Sequence, residues 1–149
     1  MSIAVAVSSD GTRAAVAATR VSALANRVLR GEGVREALVS VTFVTDRHIA
    51  RLNREHLGHA GPTDVISFAF APARAGGAVI GDVYIAPAVA RENARDHGVG
   101  VRDEIARLVV HGVLHVLGHE HPTDAGRSDS AMWRRQERYV EWFRRSARR

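Results

Sequence analysis

The chain has 149 residues, 46% of them hydrophobic and 25% charged, which suits one globular domain and excludes wholesale disorder and collagen-like repeats. It contains no cysteine, so a disulfide framework, a thiolate metal site and a cysteine nucleophile are excluded, and any metal must sit on histidine or carboxylate. Twenty-one basic residues, all of them arginine, against sixteen acidic ones give a net charge of +5.

Ile3 to Val7 reads as a short strand, closed by the turn residues Ser8-Ser9-Asp10-Gly11. From Thr12 to Arg30 the apolar residues Val16, Val21, Leu24, Val28 and Leu29 recur near helical spacing, and Gly31 is placed to stop that helix. Glu36 to Val44 alternates as a strand, and Thr45 then caps a helix running to about Leu57, ended by Gly58. After Pro62-Thr63-Asp64 comes a third strand, Val65 to Phe70. A loop from Pro72 through Gly77 and a fourth strand, Val79 to Ile85, follow. Pro87 opens a helix reaching about His97, and Gly98-Val99-Gly100 breaks the chain. Arg102 to Leu117 is the most apolar helix, and Ser128 to Arg145 is an amphipathic closing helix.

The expected architecture is a single α+β domain over residues 1–149, with about four strands in a mixed sheet packed by helices. No apolar run reaches the roughly 18–20 residues that cross a bilayer, and no signal segment opens the chain, so a soluble cytoplasmic protein is expected. The arginine surplus gathers between Arg134 and Arg149, where seven arginines face only Glu137 and Glu141. That distribution suits phosphate contact or, equally, a solvated helix end.

Four of the eight histidines fall between His111 and His121. His111 and His115, four apart on a helix, project from one face and can share a cation. Gly118 allows the chain to turn back, which makes His121 the natural third ligand. Three histidines leave one tetrahedral position open, the arrangement of a catalytic zinc on a central apolar helix. The competing reading is a set of core or capping histidines. Against it, burying two neutral rings without partners costs about 1–3 kcal/mol each, and Gly112 costs roughly 1 kcal/mol relative to Ala inside a helix. A metal offsets both, and Gly112 lets another backbone or a substrate approach. His119 is the weakest of the four as a ligand and faces solvent or substrate. The spacing also matches the metzincin pattern H-E-x-x-H-x-x-G-x-x-H, but Gly112 replaces the general-base glutamate, which argues against a conventional metalloprotease.

The run His111-Gly112-Val113-Leu114-His115-Val116-Leu117-Gly118-His119-Glu120-His121 resembles the H-G-x-L-H-L-x-G-[YH]-[DE]-H signature of the YbeY family of bacterial rRNA maturation factors and endoribonucleases. Pro62-Thr63-Asp64-Val65-Ile66-Ser67-Phe68 is similar to the family's P-T-D-V-L-S-F, and Ile80-Gly81-Asp82-Val83-Tyr84-Ile85 to its L-G-D-[IL]-x-I. With Leu52-Asn53 at the usual distance upstream, the resemblance runs from about residue 40 to 145. It implies one zinc ion per chain on His111, His115 and His121, in a YbeY-like metal-dependent hydrolase domain. It further implies cleavage of single-stranded RNA, especially rRNA precursors at the small ribosomal subunit. One departure is visible: the family arginine shortly before the Thr-Asp turn falls on Leu57, with Arg54, His56 or His59 as substitute donors.

The remaining candidates also have structural readings. Thr63 and Asp64 make an ordinary turn as readily as a site. Asp82, on an apolar strand, is expected to hydrogen-bond a ligand histidine and orient its ring, the alternative being a plain backbone cap. Ser67 reads chiefly as a strand residue, and Trp133, Tyr139 and Trp142 as core. Glu120, Asp64 and His119 are general-base candidates of equal weight, while Thr63, Ser67, Asp82 and Arg54 are candidates for supporting the ligands or binding substrate. The expected function is a zinc-dependent endoribonuclease. The alternatives are a non-cleaving ribosome assembly factor and a metal hydrolase on another substrate.

Overall fold

Successive side chains along a strand point to opposite faces of the sheet, and one face of β2 (Ala37–Val44) is the covered one. Ala37, Val39, Val41 and Phe43 are buried on that face, while Leu38, Ser40 and Thr42 take the other. In the computed structural model, which describes residues 2–72, 76–119 and 131–146, β2 pairs in parallel with β1 (Ile3–Asp10) and with β4 (Val79–Ile85). The strand β3 (Val65–Phe70) runs antiparallel to β4, so the sheet is mixed, in the order β1-β2-β4-β3. The α+β class expected from the sequence is the observed one.

Among the described residues five helices pack with the sheet: α1 (Ala18–Gly31), α2 (Asp46–Leu52), α3 (Pro87–His97), α4 (Val101–Val116) and α5 (Ala131–Ser146). The central one is α4, which touches β3, β4, α1, α3 and α5. It is therefore apolar almost all round: Ile105, Ala106, Leu108, Val109, Val110, Val113, Leu114 and Val116 are buried. Each large side chain such as Ile105 or Leu114 contributes roughly 1.5–3 kcal/mol by leaving water. A smaller cluster, Val44, Ile49, Ile66 and Ala86, is completed by Leu52, Phe68 and Tyr84 beneath α2. None of the described helices is long and apolar enough to cross a membrane.

Several boundaries differ from the sequence reading. β1 continues through Ser8, Ser9 and Asp10, which pair with Thr42, Phe43 and Val44, because the neighbouring strand supplies the ladder that turn propensity alone ignores. Helix α1 begins at Ala18, six residues later than expected, after an extended Ala17. Gly31 lies inside α1, which reverses instead at Gly33, where φ is +82°. Gly31 is small for another reason: a Cβ there would stand 2.3 Å from the Tyr139 hydroxyl of α5. Thr45 caps α2 as expected, accepting from the His48 N–H at 3.1 Å. However, α2 ends at Leu52 and continues as a π-helical turn, Asn53–Leu57, before Gly58. The expected start of the last helix, Ser128, lies outside the described residues.

Candidate metal centre and its cleft

Helix α4 carries His111 and His115 on successive turns, with ring centroids 4.5 Å apart and ring planes at 69°. The helix is pressed onto the sheet at the residue between them in sequence. A Cβ on Gly112 would meet Val83 Cγ1 at 2.5 Å and Ser67 Oγ at 3.2 Å. The approach that Gly112 permits is thus that of β3 and β4. Ser67 then donates to the Gly112 carbonyl at 3.1 Å, tying strand to helix at the level of the two imidazoles.

His111 is oriented from the opposite side. Its Nδ1 lies 2.9 Å from Oε1 of Gln136 on α5, a side chain only 3% exposed. The amide's Nε2 donates to Glu137 at 3.3 Å, which leaves the Gln136 carbonyl facing the ring. That assignment puts the His111 proton on Nδ1 and a lone pair on Nε2. Glu137 in turn accepts two hydrogen bonds from Arg107, at 2.8 and 2.9 Å, and Arg107 reaches Glu104 at 3.5 Å.

His111 opens onto a cleft of about 630 Å³ between α3, α4, α5 and the start of β3. Its polar lining includes Asp64, Asn93, His97, Glu104 and Arg107, and its apolar walls include Val65, Leu108, Met132 and Trp133. Asp64 is fixed by Asn93 Nδ2, which donates to Oδ2 at 3.1 Å, and by its own carbonyl, which accepts from the Ala86 N–H. Burial pushes the Glu104 carboxyl above its ordinary range; Asp64 adds to this while Arg107 opposes it.

Of the candidates named from sequence, the structure brings His111, His115 and Ser67 together and places Asp64 in the cleft beside His111. Thr63 is half-buried just before Asp64. His121 and Glu120 lie outside the described residues. His119 is turned away from the cleft, with Nε2 3.1 Å from Glu32. Arg54 is exposed on the π turn and does not line the cleft, and Leu57 is 50% exposed beside it. Asp82 corrects the expectation made for it. Strand phase puts Gly81 and Val83 against α4, so Asp82 projects from the opposite face, where Ser40 Oγ donates to it at 2.6 Å. It therefore orients neither His111 nor His115.

Two imidazoles one helical turn apart, one of them held by a buried carbonyl through Nδ1, are the donor chemistry that zinc takes. Among the described residues no group of three ligating side chains is present.

The family model for endoribonuclease YbeY matches residues 7–144. The chain belongs to the YbeY family. A YbeY endoribonuclease of Pelotomaculum thermopropionicum is 42% identical over 122 residues, covering 78% of this chain and 78% of that relative. One of Moorella thermoacetica is 44% identical over 118 residues, covering 70% and 76%. One of Geobacter metallireducens is 35% identical, covering 89% and 88%. The solution structure of TM1509 from Thermotoga maritima has a similar fold, with a TM-score of 0.64 at 24% identity over 97% of this chain and 92% of that one.

Two polar residues that support this YbeY-family site escape a reading of the sequence. Gln136 sits on the buried stripe of α5 between Met132 and Val140, and a polar residue in that register was the available signal. Glu32, just past α1, has a side chain only 7% exposed and gathers Tyr139 Oη at 2.6 Å, Arg135 Nη1 at 3.0 Å and His119 Nε2. Burial disfavours its charge, but the bonds from Tyr139 and Arg135 outweigh burial and hold the carboxyl below its ordinary range. Burial first, and Glu32 second, push the Tyr139 hydroxyl up to about 12.

Proposed function

We propose that this chain is a zinc-dependent endoribonuclease that cuts single-stranded RNA in the cytoplasm. Its substrates are rRNA precursors, with the 3′ end of small-subunit rRNA and ribosome quality control as its setting and the small subunit as its partner. Membership of the YbeY family, whose relatives are named endoribonucleases, supports the reaction class. The observation that carries the metal is the pairing of His111 with His115 at a cleft, with His111 Nδ1 set against Gln136. In this reading His111, His115 and His121 hold one zinc ion. When bound, zinc supplies Lewis-acid stabilisation of the charge that builds on the scissile phosphate. Of the two general-base candidates among the described residues, Asp64 is the one that lines the cleft: its Oδ2 is held by Asn93, leaving Oδ1 to take a proton from the attacking oxygen. Glu104 and Arg107 set the charge of the cleft wall.

Zinc content and cleavage of a fluorescent single-stranded RNA, measured on the wild type and on His111→Ala/His115→Ala, test the reading. About one zinc per chain, lost in the variant together with cleavage and with chelator, is the expected result. A chain that holds zinc but cuts no RNA is instead a ribosome assembly factor, a reading favoured by Leu57 standing where the family usually has arginine. A chain that holds no zinc overturns the metal assignment.

A further inference from the structure

All the basic residues are arginine, and those of the described residues differ in what they touch. Several are spent inside the fold. Arg20 donates to the Phe143 carbonyl, Arg107 is clamped by Glu137, Arg135 by Glu32, and Arg144 by Asp103. Arg145 pairs with Glu141. Within α5, Arg135, Arg144 and Arg145 are thus paired.

Arg27, Arg30 and Arg138 are different. All three are exposed, and among the described residues none is within ion-pair distance of a carboxylate. They line one groove of about 530 Å³ between α1 and α5, together with Tyr139 and Trp142. Arg27 and Arg30 are three apart on α1, as Arg135 and Arg138 are on α5, so each helix turns a basic pair towards the groove. The one carboxylate of the lining, Glu32, is already satisfied by Tyr139, Arg135 and His119. The Arg27 guanidinium lies over the Trp142 ring, 5.3 Å from its centroid. A concave surface with four arginines against one carboxylate focuses a positive potential. A groove combining unpaired cations with aromatic faces has the chemistry that follows a single-stranded nucleic acid.

We propose that the α1–α5 groove is the track for the sugar-phosphate backbone of the RNA, held by Arg27, Arg30 and Arg138. The inference rests on the endoribonuclease reading and extends it. Guanidinium forks match phosphate oxygens in pairs, which a diffuse positive surface does not. A membrane is the wrong occupant, because the exposed large apolar residues Leu38, Leu57, Phe70, Ile80 and Val99 all lie outside the groove. Glu32 on the groove wall bonds His119, so the groove borders the chain just past the helix that carries the two histidines.

The test measures binding separately from cleavage, by fluorescence anisotropy of a short uncleavable 2′-O-methyl oligonucleotide over a range of salt. Each phosphate contact on a single strand contributes about 0.7 to the slope of log affinity against log salt. The triple variant Arg27→Gln/Arg30→Gln/Arg138→Gln is expected to lower that slope by about 2. Arg47→Gln/Arg91→Gln/Arg95→Gln, three exposed arginines of α2 and α3 outside the groove, removes the same charge and is expected to leave the slope in place. Equal losses in both variants, or no loss in the first, overturn the track. If thermal unfolding shows the triple variant to be misfolded, Arg138→Gln alone carries the test, with an expected loss of about 0.7. Groove-dependent binding by a chain that cuts no RNA keeps the track and removes the nuclease. RNA cleavage by a chain whose groove variant binds like the wild type does the reverse.

Discussion

Gly112 joins the stability of the fold to the geometry of the site, since it sits between the two histidines and against the sheet. In an open helix Gly→Ala gains roughly 1 kcal/mol. Here the added methyl would stand 2.5 Å from Val83 Cγ1, and overpacking of this kind costs about 1–3 kcal/mol. The expected outcome is that Gly112→Ala lowers the unfolding free energy, read from urea denaturation, by up to about 2 kcal/mol net; a stabilised variant would contradict the contact. Gln136 supports a prediction of another kind. Gln136→Ala takes the acceptor from His111 Nδ1 and is expected to weaken zinc binding about 10–100-fold in a chelator competition. Gln136→Glu keeps an oxygen there and is expected to restore it. If Gln136→Ala is less stable but binds zinc unchanged, the side chain only fills space. The histidine pair was legible because helical spacing is local. The Gln136 contact was not, because it joins positions 25 apart through the packing of α5 on α4.

At the scale of elements, the Glu32 cluster holds the end of α1, His119 three residues past α4 and the middle of α5 at one carboxylate. Its two titrations act in opposite directions. Tyr139 has a folded-state value raised from 10.0 to about 12, so its contribution to stability is complete below about pH 10 and is lost as pH rises through about 12. Glu32 is depressed, so its contribution is present above the ordinary carboxylate range and is lost as pH falls. Tyr139→Phe is therefore expected to flatten the alkaline limb of stability against pH relative to the wild type. Urea midpoints taken across that interval check it, and parallel curves for the two proteins would show that the hydroxyl is not coupled to folding. Element boundaries were legible where a single residue dictates them, as with Pro87 opening α3 and Thr45 capping α2. They were illegible where a tertiary partner decides. β1 is lengthened by its ladder to β2, and the π turn contains a buried Asn53 whose amide reaches the Gly61 carbonyl eight residues ahead.

At the scale of the whole molecule, α4 divides the sheet's neighbours into a covered face, where the histidines lie, and a second face carrying Asp82. The period of two along β4 is visible in the sequence, but which phase faces the helices depends on strand order. The placement of β4 between β2 and β3 is a non-local outcome that no window of residues contains. The proposed metal ties this architecture together. Its ligands would be two side chains of the central helix and His121 beyond it, so zinc binds the folded chain in preference to the unfolded one. Free zinc at about 100 times its dissociation constant adds roughly 2.7 kcal/mol to stability. For a domain of this length, that corresponds to an unfolding temperature about 5–10 °C higher. Stripping the metal with chelator is expected to lower the transition by that amount, and returning zinc to restore it. His115→Ala is expected to start at the lower temperature and to gain little from added zinc. An unfolding temperature indifferent to chelator in the wild type would mean that the packing around α4, and not a metal, holds the two histidines in place.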